Sequence, residues 1–125
     1  MSLRDPAILD HTLSAEERHV VDAFAARVKA HFGDKLERIA VFGSRARGDT
    51  HAESDIDVIV LLRLPISEET AADEAVRRFR DEACRLEPRH YVPISLIVLA
   101  YERFEQTLAR ERRFALDVDQ EGIRL

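Results

Sequence analysis

Two short stretches of this chain hold residues whose types and spacing can do chemistry. Val41-Phe42-Gly43-Ser44-Arg45-Ala46-Arg47-Gly48-Asp49 places a glycine and a hydroxyl directly after an apolar run, and Ser54-Asp55-Ile56-Asp57-Val58 places two carboxylates two residues apart. A glycine at the end of a strand lets the backbone turn tightly and come close to a ligand. If a short helix starts at Ser44, its free N–H groups favour an anion, and the Ser44 hydroxyl adds one hydrogen bond to a phosphate oxygen. Arg45 and Arg47 then bring positive charge beside that nest. Standing alone, a strand-Gly-Ser-helix junction is as often a structural device as a binding site.

The carboxylates make a second element. In a strand, positions i and i+2 share a face and lie roughly 6.6 Å apart along the chain. Asp55 and Asp57 would therefore repel one another on one face of an otherwise apolar segment, and a divalent cation would relieve that repulsion. Hard oxygen ligands suit Mg²⁺, which one or two carboxylates hold together with substrate phosphates and water, and two ions about 3.5–4 Å apart could share such a pair. The structural alternative is that Asp55 caps a turn while Asp57 faces solvent from an edge strand. Together the two elements read as a metal–triphosphate site, with a phosphate nest at the end of one strand and a metal pair on the next.

The elements that must position these residues follow from periodicity. Ser14 and Glu17 form a capping-box pattern, and Val20, Val21, Phe24, Ala25, Val28 and Phe32 recur behind it at helical spacing up to Gly33. Leu36 to Phe42 reads as a strand ending at Gly43, and 44–54 as a polar turn and connection. Asp55 to Leu62 reads as a second strand, with Ile56, Val58, Val60 and Leu62 on one face and Asp55, Asp57, Ile59 and Leu61 on the other. After Pro65, Ser67 is placed to cap a helix whose apolar stripe is Ala72, Ala75, Val76, Phe79, Ala83 and Leu86, and Pro88 ends it. Val92 to Leu99 is nearly continuous in apolar residues and reads as a third, central strand. Residues 101–112 are helical, with Tyr101, Phe104 and Leu108 on one face. From 114 to 119 the period is ambiguous, and Gly122 stops a helix before a terminal strand, 123–125. This order predicts an α+β fold, a mixed sheet flanked by helices. Because 36–42 and 55–62 are joined without a full helix, an antiparallel pair or short crossover is favoured over a Rossmann unit.

With Gly43-Ser44, ten residues, then Asp55-x-Asp57, the chain resembles the DNA polymerase β-type nucleotidyltransferase superfamily. The fuller string Phe42-Gly43-Ser44-Arg45-Ala46-Arg47-Gly48 is similar to that of the minimal nucleotidyltransferases of prokaryotes, and the likeness runs from about Leu36 to Glu121-Gly122-Ile123. The resemblance implies a polymerase β palm-like fold, with Gly43 and Ser44 holding a triphosphate and Asp55 and Asp57 binding Mg²⁺. It further implies an antitoxin that is encoded beside a helical HEPN-type toxin and transfers AMP from ATP onto a protein hydroxyl. The superfamily places a third carboxylate, which binds metal and helps deprotonate the acceptor, on a later strand. Within Tyr91-Val92-Pro93-Ile94-Ser95-Leu96-Ile97-Val98 the matching position is Ser95, a poor base and a weak metal ligand. That departure opens an alternative, a nucleotide-binding or protein-binding antitoxin module with little or no turnover. Transfer onto a small molecule is a third reading. Relatives of that kind carry an additional helical domain to grip the acceptor, so here a partner chain or a second copy would supply that side of the cleft.

The 125 residues fit one domain, 1–125, with 1–13 as a loose or short-helical lead-in, and 46% hydrophobic residues suffice for a core. The net charge of −5 argues against general nucleic-acid binding, and the clusters Arg77, Arg78, Arg80 and Arg110, Arg112, Arg113 read as solvated helix faces. No apolar run approaches a membrane span, and nothing at the N-terminus resembles a secretory signal. Cys84 is the single cysteine, which fits a cytoplasmic protein, and it reads as a small buried filler. His11, His19 and His31 show no zinc-ligand clustering. His51 could touch a phosphate but, like Asp49 and Glu53, reads as an ordinary loop residue, and His90 and Tyr91 read as packing or capping residues before the third strand.

Overall fold

The computed structural model describes residues 6–47, 55–110 and 112–125. A 3₁₀ turn at Pro6–Ile8 leads into α1 (Leu9–Thr12) and then α2 (Ala15–Phe32). The capping box forms as the sequence suggests. The Glu17 amide donates to Ser14 Oγ at 3.1 Å, and the Ser14 amide donates to Glu17 Oε1 at 2.8 Å. Next come β1 (Leu36–Phe42), a one-turn helix α3 (Ser44–Arg47) and β2 (Ile56–Leu62). Helix α4 (Glu69–Cys84), β3 (Ile94–Ala100), α5 (Tyr101–Arg110), α6 (Arg112–Glu121) and β4 (Ile123–Arg124) complete the chain.

Among the described residues these strands form one sheet in the order β3-β2-β1-β4. β1 runs antiparallel to both β2 and β4, whereas β2 and β3 are parallel, with α4 as the crossover. The sheet is therefore mixed, and the antiparallel β1–β2 pair is the one the short connection implies.

The alternation in β2 sorts the core into two. Ile56, Val58, Val60 and Leu62 face a large cluster shared with Val20, Phe24 and Val28 of α2 and with Val76 and Phe79 of α4. Ile59 and Leu61 face a smaller one with Ala40, Phe104 and Val118. At the second face the buried Arg38 of β1 donates to Asp119 of α6 at 2.6 Å, tying that helix to the sheet.

Several expectations are corrected. β3 lies at an edge of the sheet, although its composition suggested a central strand. Its two faces are both apolar because α4 packs on one while Ile97 and Leu99 lean on the smaller cluster. Its exposed backbone edge is blunted by charge, as sheet edges commonly are. Ala100 donates its N–H to Glu69 Oε2 at 2.9 Å, and the Ile94 carbonyl accepts from Arg80 Nη1 at 3.3 Å. The strand begins at Ile94, after Pro93, which has no N–H to give. Ser67 does not cap α4. Pro65 starts a 3₁₀ turn, with Glu68 N–H on the Pro65 carbonyl at 2.9 Å, and Ser67 lies inside it. Leu86 lies beyond the end of α4 and is 50% exposed. The ambiguous stretch 114–119 belongs to α6. The Leu108 side chain and residues 1–5 lie outside the described residues.

Candidate active site

Gly43 ends β1 with φ at +75°, a backbone conformation that side chains with a Cβ rarely adopt. The space a Cβ would need is already taken. An ideal Cβ on Gly43 would sit 2.5 Å from Asp57 Oδ2 and 3.4 Å from Asp57 Cγ. The two sequence elements therefore meet in space, since Asp57 lays its carboxylate over the Gly43 backbone. The strand register explains why. Phe42 is opposite Asp57 across the β1–β2 pair, and Asp57 is opposite Ser95 across the β2–β3 pair. Phe42, Asp57 and Ser95 thus form one row across three strands, all half-buried, next to the Ala40, Ile59 and Ile97 row that leads into the smaller core cluster.

Asp55 precedes β2 and is exposed. It is anchored by its neighbour, because the Ile56 amide donates to the Pro93 carbonyl at 2.9 Å. It lines a cleft of about 300 Å³ with Arg80, Asp81 and Cys84 of α4 and with the 91–94 segment. After Gly43 the chain turns straight into α3, with the Ala46 amide on the Gly43 carbonyl at 3.1 Å. The side chains of Ser44 and Arg47 lie outside what the structure describes, as do His51, Asp49 and Glu53.

A sequence model of the nucleotidyltransferase domain matches residues 21–117, which hold every element of this site. The chain belongs to the nucleotidyltransferase domain family. Two curated relatives, both from Methanocaldococcus jannaschii, carry the names "Putative protein adenylyltransferase MJ0141" and "Putative protein adenylyltransferase MJ0604". The first is 41% identical over 44 residues, 35% of this chain and 44% of that protein; the second is 36% identical over 45 residues, 36% and 45%. The matched segment thus spans less than half the length of either relative. The fold is also that of a solved structure from Sulfolobus solfataricus, titled "putative nucleotidyltransferase". It aligns with a TM-score of 0.53 at 19% identity over 92% of this chain and 86% of that one.

In this nucleotidyltransferase Arg45, expected beside the phosphate nest, also reaches into the protein. It is 4% exposed and turned inward, where Nη1 donates to Glu17 Oε1 at 3.0 Å and to the Thr12 carbonyl at 3.1 Å. Arg45 is a strut that ties α3 to the junction of α1 and α2. Sequence reading missed it because the partner carboxylate lies 28 positions away and already had a local job in the capping box.

The strut has a pH signature. Burial alone would raise the Glu17 carboxyl above the ordinary range, but the hydrogen bond and charge of Arg45 and the hydrogen bonds from Ser14 outweigh it and hold the group low. A folded-state value below the unfolded one gives stability that is full above the ordinary carboxylate range and lost as pH falls through the lowered value. Glu17→Ala is expected to cost about 1.5–3 kcal/mol at neutral pH, the usual worth of a charged hydrogen bond, since the buried Arg45 keeps the Thr12 carbonyl but loses its carboxylate. It should also flatten the acid limb of a stability–pH curve measured by urea melts, whereas an unchanged acid limb would show that the strut carries no such linkage.

The donor set at the site fits a hard divalent ion. Asp57 is packed on Gly43, Asp55 stands two residues before it, and the neighbour in register is the Ser95 hydroxyl. The Cys84 thiol is a different case. Burial pushes it above its ordinary pKa, and it donates to the Val92 carbonyl at 3.4 Å, so it is a packed structural group and a poor nucleophile.

Proposed function

We propose that this nucleotidyltransferase transfers AMP from a divalent-metal complex of ATP onto a protein hydroxyl, as the cytoplasmic antitoxin of a toxin–antitoxin pair whose other member is a helical, HEPN-type protein. The observation that carries the nucleotide half is the Gly43–Asp57 contact, since a glycine whose Cβ space is filled by a carboxylate brings the strand-end backbone and that carboxylate to one spot. The names of the two curated relatives support a protein acceptor.

The chemistry asked of the site is displacement at the α-phosphorus, with pyrophosphate leaving. A bound Mg²⁺ would neutralise phosphate charge and stabilise the leaving group. Asp55 and Asp57 would hold it. Gly43 gives the triphosphate close access to backbone, Ser44 supplies a hydroxyl, and the Arg45 strut fixes the turn on which both lie. Removal of the acceptor proton is the weak point. Ser95, next to Asp57 in register, has a hydroxyl that cannot accept that proton near neutral pH.

That register favours one competing reading, a module that binds nucleotide and neutralises its partner by contact alone. The two are separated by incubating the purified chain with Mg²⁺, ATP and the product of the adjacent reading frame, followed by intact-mass analysis. An added AMP on the partner that vanishes with Asp57→Asn is the expected result. Tight complex formation by both forms, with no added mass, would replace the enzyme by the binding module.

A further inference from the structure

We propose that the outer edge of β3 pairs antiparallel with the same edge of a second copy of this chain, joining two sheets into one across a two-fold axis at Ile97. This pairing is separate from the nucleotide chemistry. It follows from the backbone groups that the edge leaves open and from the order of the charges beside them.

The β2–β3 register fixes where each backbone group of β3 points. The Ile56 amide donates to the Pro93 carbonyl at 2.9 Å, and in a parallel ladder this turns Pro93, Ser95, Ile97 and Leu99 toward β2. Ile94, Leu96, Val98 and Ala100 then turn outward. Side chains of α4 stop both ends of this outward set. Arg80 donates to the Ile94 carbonyl at 3.3 Å, and Glu69 accepts from the Ala100 amide at 2.9 Å. Between these stoppers, Leu96 and Val98 have no strand beside them. The strand at the opposite edge, β4, spans only Ile123–Arg124, so β3 is the edge with room for a partner strand. In an antiparallel pair centred on Ile97, Leu96 lies opposite the second copy's Val98, and such a pair exchanges both of its hydrogen bonds. The two pairs related by the axis use every outward N–H and C=O of Leu96 and Val98.

Charge selects a second copy as the occupant. Helix α4 runs antiparallel to β3, with Glu69 at the Ala100 end and Arg80 at the Ile94 end. One stripe of it, Glu69, Thr70, Asp73 and Arg77, walls a cleft of about 290 Å³ whose other side is Leu96, Ile97 and Val98. From Glu69 and Asp73 to Arg77 and Arg80 the stripe changes sign once, near the level of Ile97, midway between the stoppers. A two-fold axis there keeps both helices on one face of the joined sheet and sets Asp73 opposite the second copy's Arg77, with Glu69 level with its Arg80. Such self-complementary order is what an isologous interface requires. Asp73 and Arg77 pair within the helix at 3.1 Å yet stay partly exposed, so each has room for a second partner. On the other face Ile97 meets Ile97 and Ser95 meets Leu99, which covers half-buried apolar side chains and closes the open end of the Phe42, Asp57 and Ser95 row.

The test is sedimentation velocity on the full chain at concentrations reaching about 1 mM, with residue-resolved amide exchange beside it. The wild type is expected to dimerise, and in the dimer the Leu96 and Val98 amides should exchange slowly. On dilution to monomer those two should become fast, while Ser95, Ile97 and Leu99, bonded to β2, stay protected. Asp73→Arg and Arg77→Asp should each fold, as judged by circular dichroism, and each weaken dimerisation about 10-fold or more by setting like charges together on both sides of the axis. An equimolar mixture of the two variants should recover the dimer, because one then presents two arginines to the other's two aspartates. A wild-type chain that stays monomeric throughout would overturn the proposal. So would a dimer that neither variant weakens, variants that mixing does not rescue, or fast Leu96 and Val98 exchange in the dimer, since each moves the contact to another surface.

Discussion

Ser95→Asp is expected to raise nucleotidyl transfer by about 10²-fold or more, the contribution typical of a positioned general base. The register makes the case. Ser95 lies directly beside Asp57 on the neighbouring parallel strand, half-buried at the sheet edge, so a carboxylate in its place joins the Asp57 row without displacing a core side chain. Among the described residues no group of three or more His, Cys, Asp or Glu side chains converges, and this substitution would create one by adding a third carboxylate to Asp55 and Asp57. It also carries a cost that can be read without any acceptor. Like charges placed side by side on adjacent strands destabilise by about 0.2–1 kcal/mol, and a divalent ion should more than restore that. Thermal melts should show the variant below wild type in EDTA, with a larger upward shift on adding Mg²⁺. Pyrophosphate release gives the rate. A variant that melts lower in both conditions and turns over no faster would mean that this position is not the place of a third ligand.

Gly43→Ala should do the reverse, lowering transfer about 10²-fold while leaving a folded protein. Two penalties act at this one position and they fall on different things. The positive φ taxes any residue with a Cβ by about 1–3 kcal/mol, a drop of several degrees in the melt. The steric conflict is with Asp57 Oδ2, the far end of a short side chain, so the cheapest escape is for the Asp57 carboxylate to swing away. That rescues packing and displaces the carboxylate proposed to hold the metal. A misplacement of about 1 Å costs on the order of 10²-fold in rate, and Mg-ATP binding by titration should weaken in parallel. A variant that melted several degrees lower yet bound Mg-ATP with wild-type affinity would separate Gly43 from the site.

The parts of this molecule that sequence exposed best are those where one physical rule acts alone. The period of two in 56–62 assigned every apolar residue of β2 to its correct face, and the Ser14–Glu17 spacing located the start of α2. The spacing of Gly43 and Asp57 named two residues that the fold brings into contact. What stayed hidden needed a second, distant partner. The Arg45–Glu17 pair stayed hidden because only the packing of α1 against α3 brings the two side chains together. β3 looked central because apolar residues on both faces usually mean two neighbours, yet here helices cover the faces while one edge stays open. The cleft beside Asp55 depended on the β2–β3 register, which composition does not encode.

One oxygen of Glu17 accepts from both the Ser14 amide and the Arg45 guanidinium. A shared acceptor removes a degree of independence, because the first turn of α2 and the turn after β1 cannot fray separately without breaking the ion pair of a buried cation. Loosening either segment, though they are distant in sequence, therefore weakens a contact of the other. Substitutions along the start of α2 can therefore reach the turn after Gly43 without touching it, which makes that end of the helix a remote support of the candidate site.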